Sequence, residues 1–364
     1  MPAYTKRLVL IWLVPLLLLL AVVPGCRKQN LLSTVEAVPY LGLPASVNHL
    51  HCADMKRLRG TQFFQDMLEQ AQKENGGFKS VYDGLRQQVG FDPVQDLDMV
   101  TLALRGKPQP NQPLSHVIVL ARGRFTDMAG KLEKLRHWLG DEFLIQPPPF
   151  QTSRHEASDI TINKMTARSQ YNERIEFQIL IAFPTENLMI LAFSPEFMND
   201  TLDVIASVKG VKGINNSPEW VEKLKTARIS ATMWGYGDFS VMPEQQQVLA
   251  NIPDGQAFTK ITNYFYDLDS DGDFRAALGF VCDSIDSATK LSATLDKGRK
   301  MLSDQLAASL PPEAAETIKL PTRLLVTTEL KTSHLVLRLT AADIGKINAE
   351  IDKMGSANAP PRPQ

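Results

Sequence analysis

Asp267, Asp269, Asp271 and Asp273 form the densest set of candidate metal ligands in the chain. With Gly272 they imitate the start of a calcium-binding loop, in which oxygens at positions 1, 3 and 5 and a glycine at 6 wrap a hard cation. Position 12 counted from Asp267 is Leu278, where a bidentate glutamate belongs, and both flanks read as strands. Asp-Gly between two alternating runs is a hairpin signal, so the segment reads as a turn, with calcium as its weak alternative. His49, His51 and Cys52 are a second set, since residues two apart on a strand share a face, but no further cluster accompanies them and a partly buried strand is expected instead. No metal is therefore assigned. Cys52 and Cys282 both fall on expected strands, and in an oxidising compartment they are candidates for a disulfide, with two free buried thiols as the alternative. Gly235-Tyr236-Gly237 lacks the helix start of a phosphate loop. The chain contains no G-x-S-x-G, H-E-x-x-H, P-loop or S-x-x-K pattern, which points away from an enzyme and from any cofactor.

Charge narrows the partners. Lys and Arg total 39 against 40 Asp and Glu, a formal charge of -1 over 364 residues, so no basic excess exists to hold a nucleic-acid backbone. Hydrophobic residues make up 44 % of the chain, enough for packed cores in about two domains.

The amino terminus carries an address. Lys6 and Arg7 precede an apolar run from Leu8 to Val23, followed by Pro24, Gly25 and Cys26. At 1.5 Å per residue such a run spans about 24 Å, short of the ~30 Å hydrocarbon core, so a cleaved export signal is favoured over a membrane-spanning anchor. Val23-Pro24-Gly25-Cys26 resembles the lipobox of bacterial lipoproteins. That resemblance implies cleavage between Gly25 and Cys26, fatty acylation at the Cys26 sulfur, and attachment to the cell envelope through lipid. Arg27 and Lys28 stand where an aspartate would mark retention in the inner membrane, so the resemblance points to the outer membrane. Removing residues 1–25 takes away Lys6 and Arg7 and no acidic residue, leaving 37 basic against 40 acidic side chains, net -3.

The body reads as α+β. A strand at Asn48–Asp54 leads into two helices between Met55 and Val89, then a hairpin of Met99–Leu104 with Leu114–Ala121. Met128, Leu132, Leu135 and Leu139 repeat at four, three and four, which places them on one face of a helix. A second hairpin joins Ile175–Phe183 to Leu188–Phe193, and Ser194 caps a helix that begins with Pro195. After Pro218 the order recurs: a strand at Arg228–Tyr236, a short helix at Pro243–Ala250, a hairpin of Lys260–Asp267 with Phe274–Cys282, a helix carrying Ala288, Leu291, Leu295 and Leu302, and a hairpin of Arg323–Leu330 with His334–Leu339. Thr340 and Asp343 fit a capping box for a last helix. The expectation is two tandem similar modules of antiparallel sheet, 35–210 and 215–355, each covered by helices on one side, after a leader (1–25) and a lipidated linker (26–34) and before a disordered tail (356–364). Both strands of the second hairpin are almost continuously apolar, so their other face is expected to be buried or to line a cavity.

The layout resembles that of uncharacterised bacterial envelope lipoproteins, which supplies no ligand. The expected role is that of a lipid-anchored binding or scaffolding module for an unknown envelope protein. Its first alternative is a carrier or chaperone of apolar ligands such as lipids in the periplasm, for which an apolar cavity between sheet and helices is the discriminating feature. Its second is a hydrolase with an unrecognised site.

Overall fold

The computed structural model describes residues 31–74, 76–106, 116–169, 176–239, 248–251, 255–270, 273–309 and 323–340, with parts of 342–349. The leader, Cys26, the tail and most of the expected helix at Pro243–Ala250 lie outside the described residues. The chain is α+β, with helices packed on antiparallel sheet. It divides into two compact units, Met1–Gly237 and Asp238–Gln364.

In the first unit, α1 (Leu31–Ala37) and a 3-10 turn (Pro39–Gly42) lead to β1 (His49–Asp54). Asp54 accepts from the Arg57 amide at 2.8 Å and so caps α2 (Met55–Leu58). Next come α3 (Gln62–Glu74), α4 (Gly76–Gly84) and a π turn at Leu85–Val89, which Gly90 ends at φ 76°, a left-handed conformation suited to glycine. Then α5 (Pro93–Asp96) precedes the hairpin of β2 (Leu97–Leu104) and β3 (Val117–Gly123). After α6 (Met128–Glu142) come three strands that the sequence reading leaves unassigned: β4 (Leu144–Ile145), β5 (Gln151–Arg154) and β6 (Thr161–Ser169). The hairpin of β7 (Glu176–Thr185) and β8 (Leu188–Ala192) leads into α7 (Pro195–Ile205), whose first turn is capped by Ser194 as expected. The unit ends with α8 (Pro218–Thr226) and β9 (Met233–Asp238). Its strands lie in the order β9, β1, β2, β3, β8, β7, β6, β4, with β5 paired to β6.

Two expectations need correction here. The boundary between the units falls after Gly237 and not near residue 215, because β9 pairs with β1 from His49↔Gly237 to Ala53↔Met233. Trp220 of α8 fixes the same segment by donating its indole N–H to the Ala45 carbonyl at 3.1 Å. The sheet of this unit is also covered on both faces. Ile118, Leu120, Ile190 and Ala192 are wholly buried on the side of α7 and the 3-10 turn, where Gly42 lies so close to Val35, Leu120 and Ile205 that no larger residue fits without displacement. The near-continuous apolar character of β7 and β8 follows from this two-sided burial.

In the second unit, β10 (Ile261–Asp269) and β11 (Phe274–Cys282) form a hairpin, α9 (Ile285–Ser309) follows, and β12 (Leu324–Glu329) pairs with β13 (Thr332–Leu339). The strand order is β10, β11, β13, β12. It repeats β2, β3, β8, β7: in each unit the second strand of one hairpin lies beside the second strand of the next, with a helix between them in sequence. The Thr340–Asp343 box is formed, with the Thr340 amide donating to Asp343 at 2.9 Å and the Asp343 amide donating to Thr340 Oγ1 at 3.1 Å.

Candidate functional site

The alternation of β2, β3, β8 and β7 brings one apolar row across the sheet of the first unit. The register places Leu102 opposite Val119, Val119 opposite Leu191, and Leu191 opposite Ile181. Residues directly opposite in an antiparallel pair share a face, so these four point the same way. Above them lies α6, whose Leu132, Leu135 and Leu139 face the sheet as the helical spacing expected, while Trp138 packs with Val81 and Val89 at the side and also borders the space. The π turn adds Leu85 and Val89 from the side.

These surfaces do not close on one another. They enclose a cavity of about 260 Å3, partly open to solvent, whose wall is apolar except for Lys131 and Ser169. Leu191 carries the clearest sign of it: flanked by β3 and β7 in the middle of a sheet, it is only partly buried, and so are Met189, Phe193, Leu135 and Leu139. Aromatic side chains form both ends. Phe125 stands between Phe91 (6.2 Å between ring centroids) and Phe183 (5.8 Å), while Trp138 meets Phe143 edge-on at 5.4 Å. Large rigid rings on both sides brace the helix above the sheet instead of letting it settle. Gly84 completes the frame: a Cβ there would lie 2.2 Å from Trp138 Nε1, so the glycine is what lets α4 meet the tryptophan.

The residues singled out by type and spacing do not converge on this site. Asp267 and Asp269 lie on β10, and Asp271 lies outside the described residues. Asp267 is paired with Arg275 of β11, and Leu278, at the position a calcium loop gives to glutamate, sits in the ladder opposite Tyr266. The hairpin reading holds for the described part. No group of three or more potential metal ligands occurs among the described residues. His49 and His51 do share a face, with rings stacked at 6.3 Å and 16°, whereas Cys52 points to the other face, where its sulfur lies 3.5 Å from Thr101 Oγ1. Burial, reinforced by His49, pushes the pKa of His51 down to about 3, and burial raises that of the Cys52 thiol. The disulfide considered between Cys52 and Cys282 is not formed; both are free thiols. Tyr236 of the glycine pair lies mid-strand, edge-on to Trp220 at 6.0 Å, which leaves no phosphate-binding turn.

One side-chain constellation carried no sequence signal. His155 Nδ1 lies 2.8 Å from Ser158 Oγ, and its Nε2 lies 3.2 Å from Asp203 Oδ1. Ser158 belongs to the same tight turn between β5 and β6, and Asp203 belongs to α7, so the histidine ties the turn to the helix. None of the three lines the cavity.

No family model matches the chain, and no curated protein matches it. Among solved structures it is similar to crystal form III of TP0453, with a TM-score of 0.43 and 8 % identity over 86 % of this chain and 97 % of that one. Crystal forms I and IV give TM-scores of 0.41, at 8 % and 9 % identity, each over 85 % of this chain and 96 % of the other. Likeness at this level assigns no residue a role.

Proposed function

We propose that the protein is an exported envelope protein, held at the outer membrane through lipid on Cys26, whose first unit binds an apolar ligand. The lipobox-like sequence supports the address, and one observation carries the binding: the apolar cavity between α6 and the sheet. Protein interiors are close-packed, and an apolar void costs about 24 cal/mol per Å3. If closed and empty, the volume of about 260 Å3 would cost about 6 kcal/mol, comparable with the whole stability of many domains. Partial opening to water lowers that figure but leaves a wall of leucine, isoleucine and phenylalanine wetted. A guest that covers the wall removes the penalty, which favours the carrier reading over a scaffold with a solid core.

The test is to purify the chain from envelopes and analyse what accompanies it by native mass spectrometry, beside a Leu191→Trp variant of matched thermal stability. The expected result is an apolar compound retained near one per chain by the parent and lost by the variant, whose indole occupies the cavity. Equal recovery from both proteins, or from neither, overturns the assignment.

A further inference from the structure

We propose that the cavity takes a single-chain anionic amphiphile, with the chain inside and the head group against Lys131; this rests on the apolar-ligand reading above. Lys131 and Ser169 are the polar members of the wall, and they stand at opposite ends of it. Lys131 is in the first turn of α6, whereas Ser169 pairs with Leu144, beyond the last residue of that helix. Ser169 is buried and Lys131 half-buried. Because the wall presents almost no polar surface, the aliphatic stem of Lys131 lines it and the ammonium lies at the rim, as lysines arrange themselves at apolar boundaries.

Lys131 forms no ion pair with a described residue, and Glu133, two residues on, is engaged with Arg136 and His137. A cation at the edge of a hydrocarbon wall is complemented by an anion at the end of a hydrocarbon chain, through a charge-assisted hydrogen bond. Volume sets the least length of chain the cavity accepts. The centre of a water molecule can range over about 260 Å3 of the cavity, so the void an occupant fills is larger, and at roughly 30 Å3 per methylene it holds at least about nine such groups. That is room for one chain of medium length or longer, and the single cation of the wall, Lys131, matches one anionic head group. The head group is a carboxylate, as in a fatty acid, or a phosphate, as in a single-chain phospholipid; both are anions at the end of one chain.

The full chain in phosphatidylcholine nanodiscs is photolabelled with ten-carbon probes that carry a terminal diazirine and end in carboxylate, phosphate or alcohol. Crosslinks are mapped by mass spectrometry. The expected result is label on β7, β8 and α6, with the anionic probes favoured over the alcohol by about tenfold, the low end for a hydrogen bond to a charged group. Lys131→Met should lower anionic labelling to the level of the alcohol without changing the alcohol, and Lys131→Arg should retain the preference. Preference for carboxylate identifies the source as a fatty acid, and preference for phosphate as a lysophospholipid. Equal labelling by acid and alcohol, or no effect of Lys131→Met, overturns the role of Lys131 and leaves the cavity assignment standing. Absence of label from all three elements overturns both.

Discussion

Lengthening an alkyl ligand one carbon at a time treats the cavity as a container of fixed size. Each buried methylene contributes about 0.8 kcal/mol, which is about fourfold in Kd. From six to nine carbons, three methylenes enter the space between α6 and the row Leu102, Val119, Leu191 and Ile181, and affinity should rise about fiftyfold. Once the cavity is full, at about nine carbons or more, later carbons remain in water and the slope should flatten. The assay is competition of a carboxylate series from six to sixteen carbons against an environment-sensitive acyl fluorophore, below the micelle concentration and at fixed salt. Leu191→Trp should move the break to a shorter chain. A flat series would mean that no chain enters. A slope that continues unbroken to sixteen carbons would refute a bounded cavity and with it the volume argument.

Gly84→Ala should destabilise the fold by about 1–3 kcal/mol, measured as a shift in the urea midpoint, because the added Cβ meets Trp138 Nε1. Acidification should weaken the fold through His51. Its folded pKa of about 3 lies below the ordinary value of 6.5, so the unfolded chain takes up the proton first; stability is present above pH 6.5 and falls towards pH 3, by at most about 1.4 kcal/mol per pH unit. The variant His51→Gln should show a flatter pH profile in denaturant titrations, and an unchanged profile would remove His51 as the cause. Cys26→Ser should release the protein from the membrane fraction on cell breakage; persistence there would mean that the apolar leader itself is the anchor.

The strongly patterned parts of this chain were legible because each is specified locally. The spacing of Met128, Leu132, Leu135 and Leu139, and Ser194 ahead of Pro195, yield α6 and the start of α7 from single-segment physics. Strands β5 and β6 escaped notice for a physical reason. Gln151–Arg154 is exposed throughout, and β6 alternates only from Met165 to Ser169, where two of the three buried positions are the small Ala167 and the polar Ser169, so neither shows an apolar row. The unit boundary depends on β9 meeting β1 across nearly two hundred residues, a pairing that no local pattern encodes. The cavity was legible only as a question. Leu135 and Leu139 have the same type and spacing whether they touch the sheet or face a void; the difference lies in how far the aromatic side chains around Trp138 and Phe125 hold α6 away.

That distinction emerges when the two units are compared as separate structures with one strand order. In the second, α9 meets its sheet through Ala288 and Ser292 as well as Leu291. Ser333 of β13 donates its hydroxyl to the Ala288 carbonyl at 2.6 Å, and Ser292 Oγ lies 3.0 Å from Ser333 Oγ. A strand side chain can reach a helix carbonyl only where the helix backbone lies against the strand, and Ala288, wholly buried, is what allows that approach. At the corresponding place in the first unit, α6 presents Leu132, Leu135 and Leu139 to a sheet of equally large side chains, and Trp138 with Leu85 and Val89 of the π turn fills the side. In the first unit large side chains with rings at both ends border the gap; in the second the Ser292–Ser333 bridge holds α9 to β13 beside Leu291 and Phe280. The same topology thus supports a seated helix in one unit and a raised one in the other, and the choice between them rests on a handful of residues that can be exchanged individually.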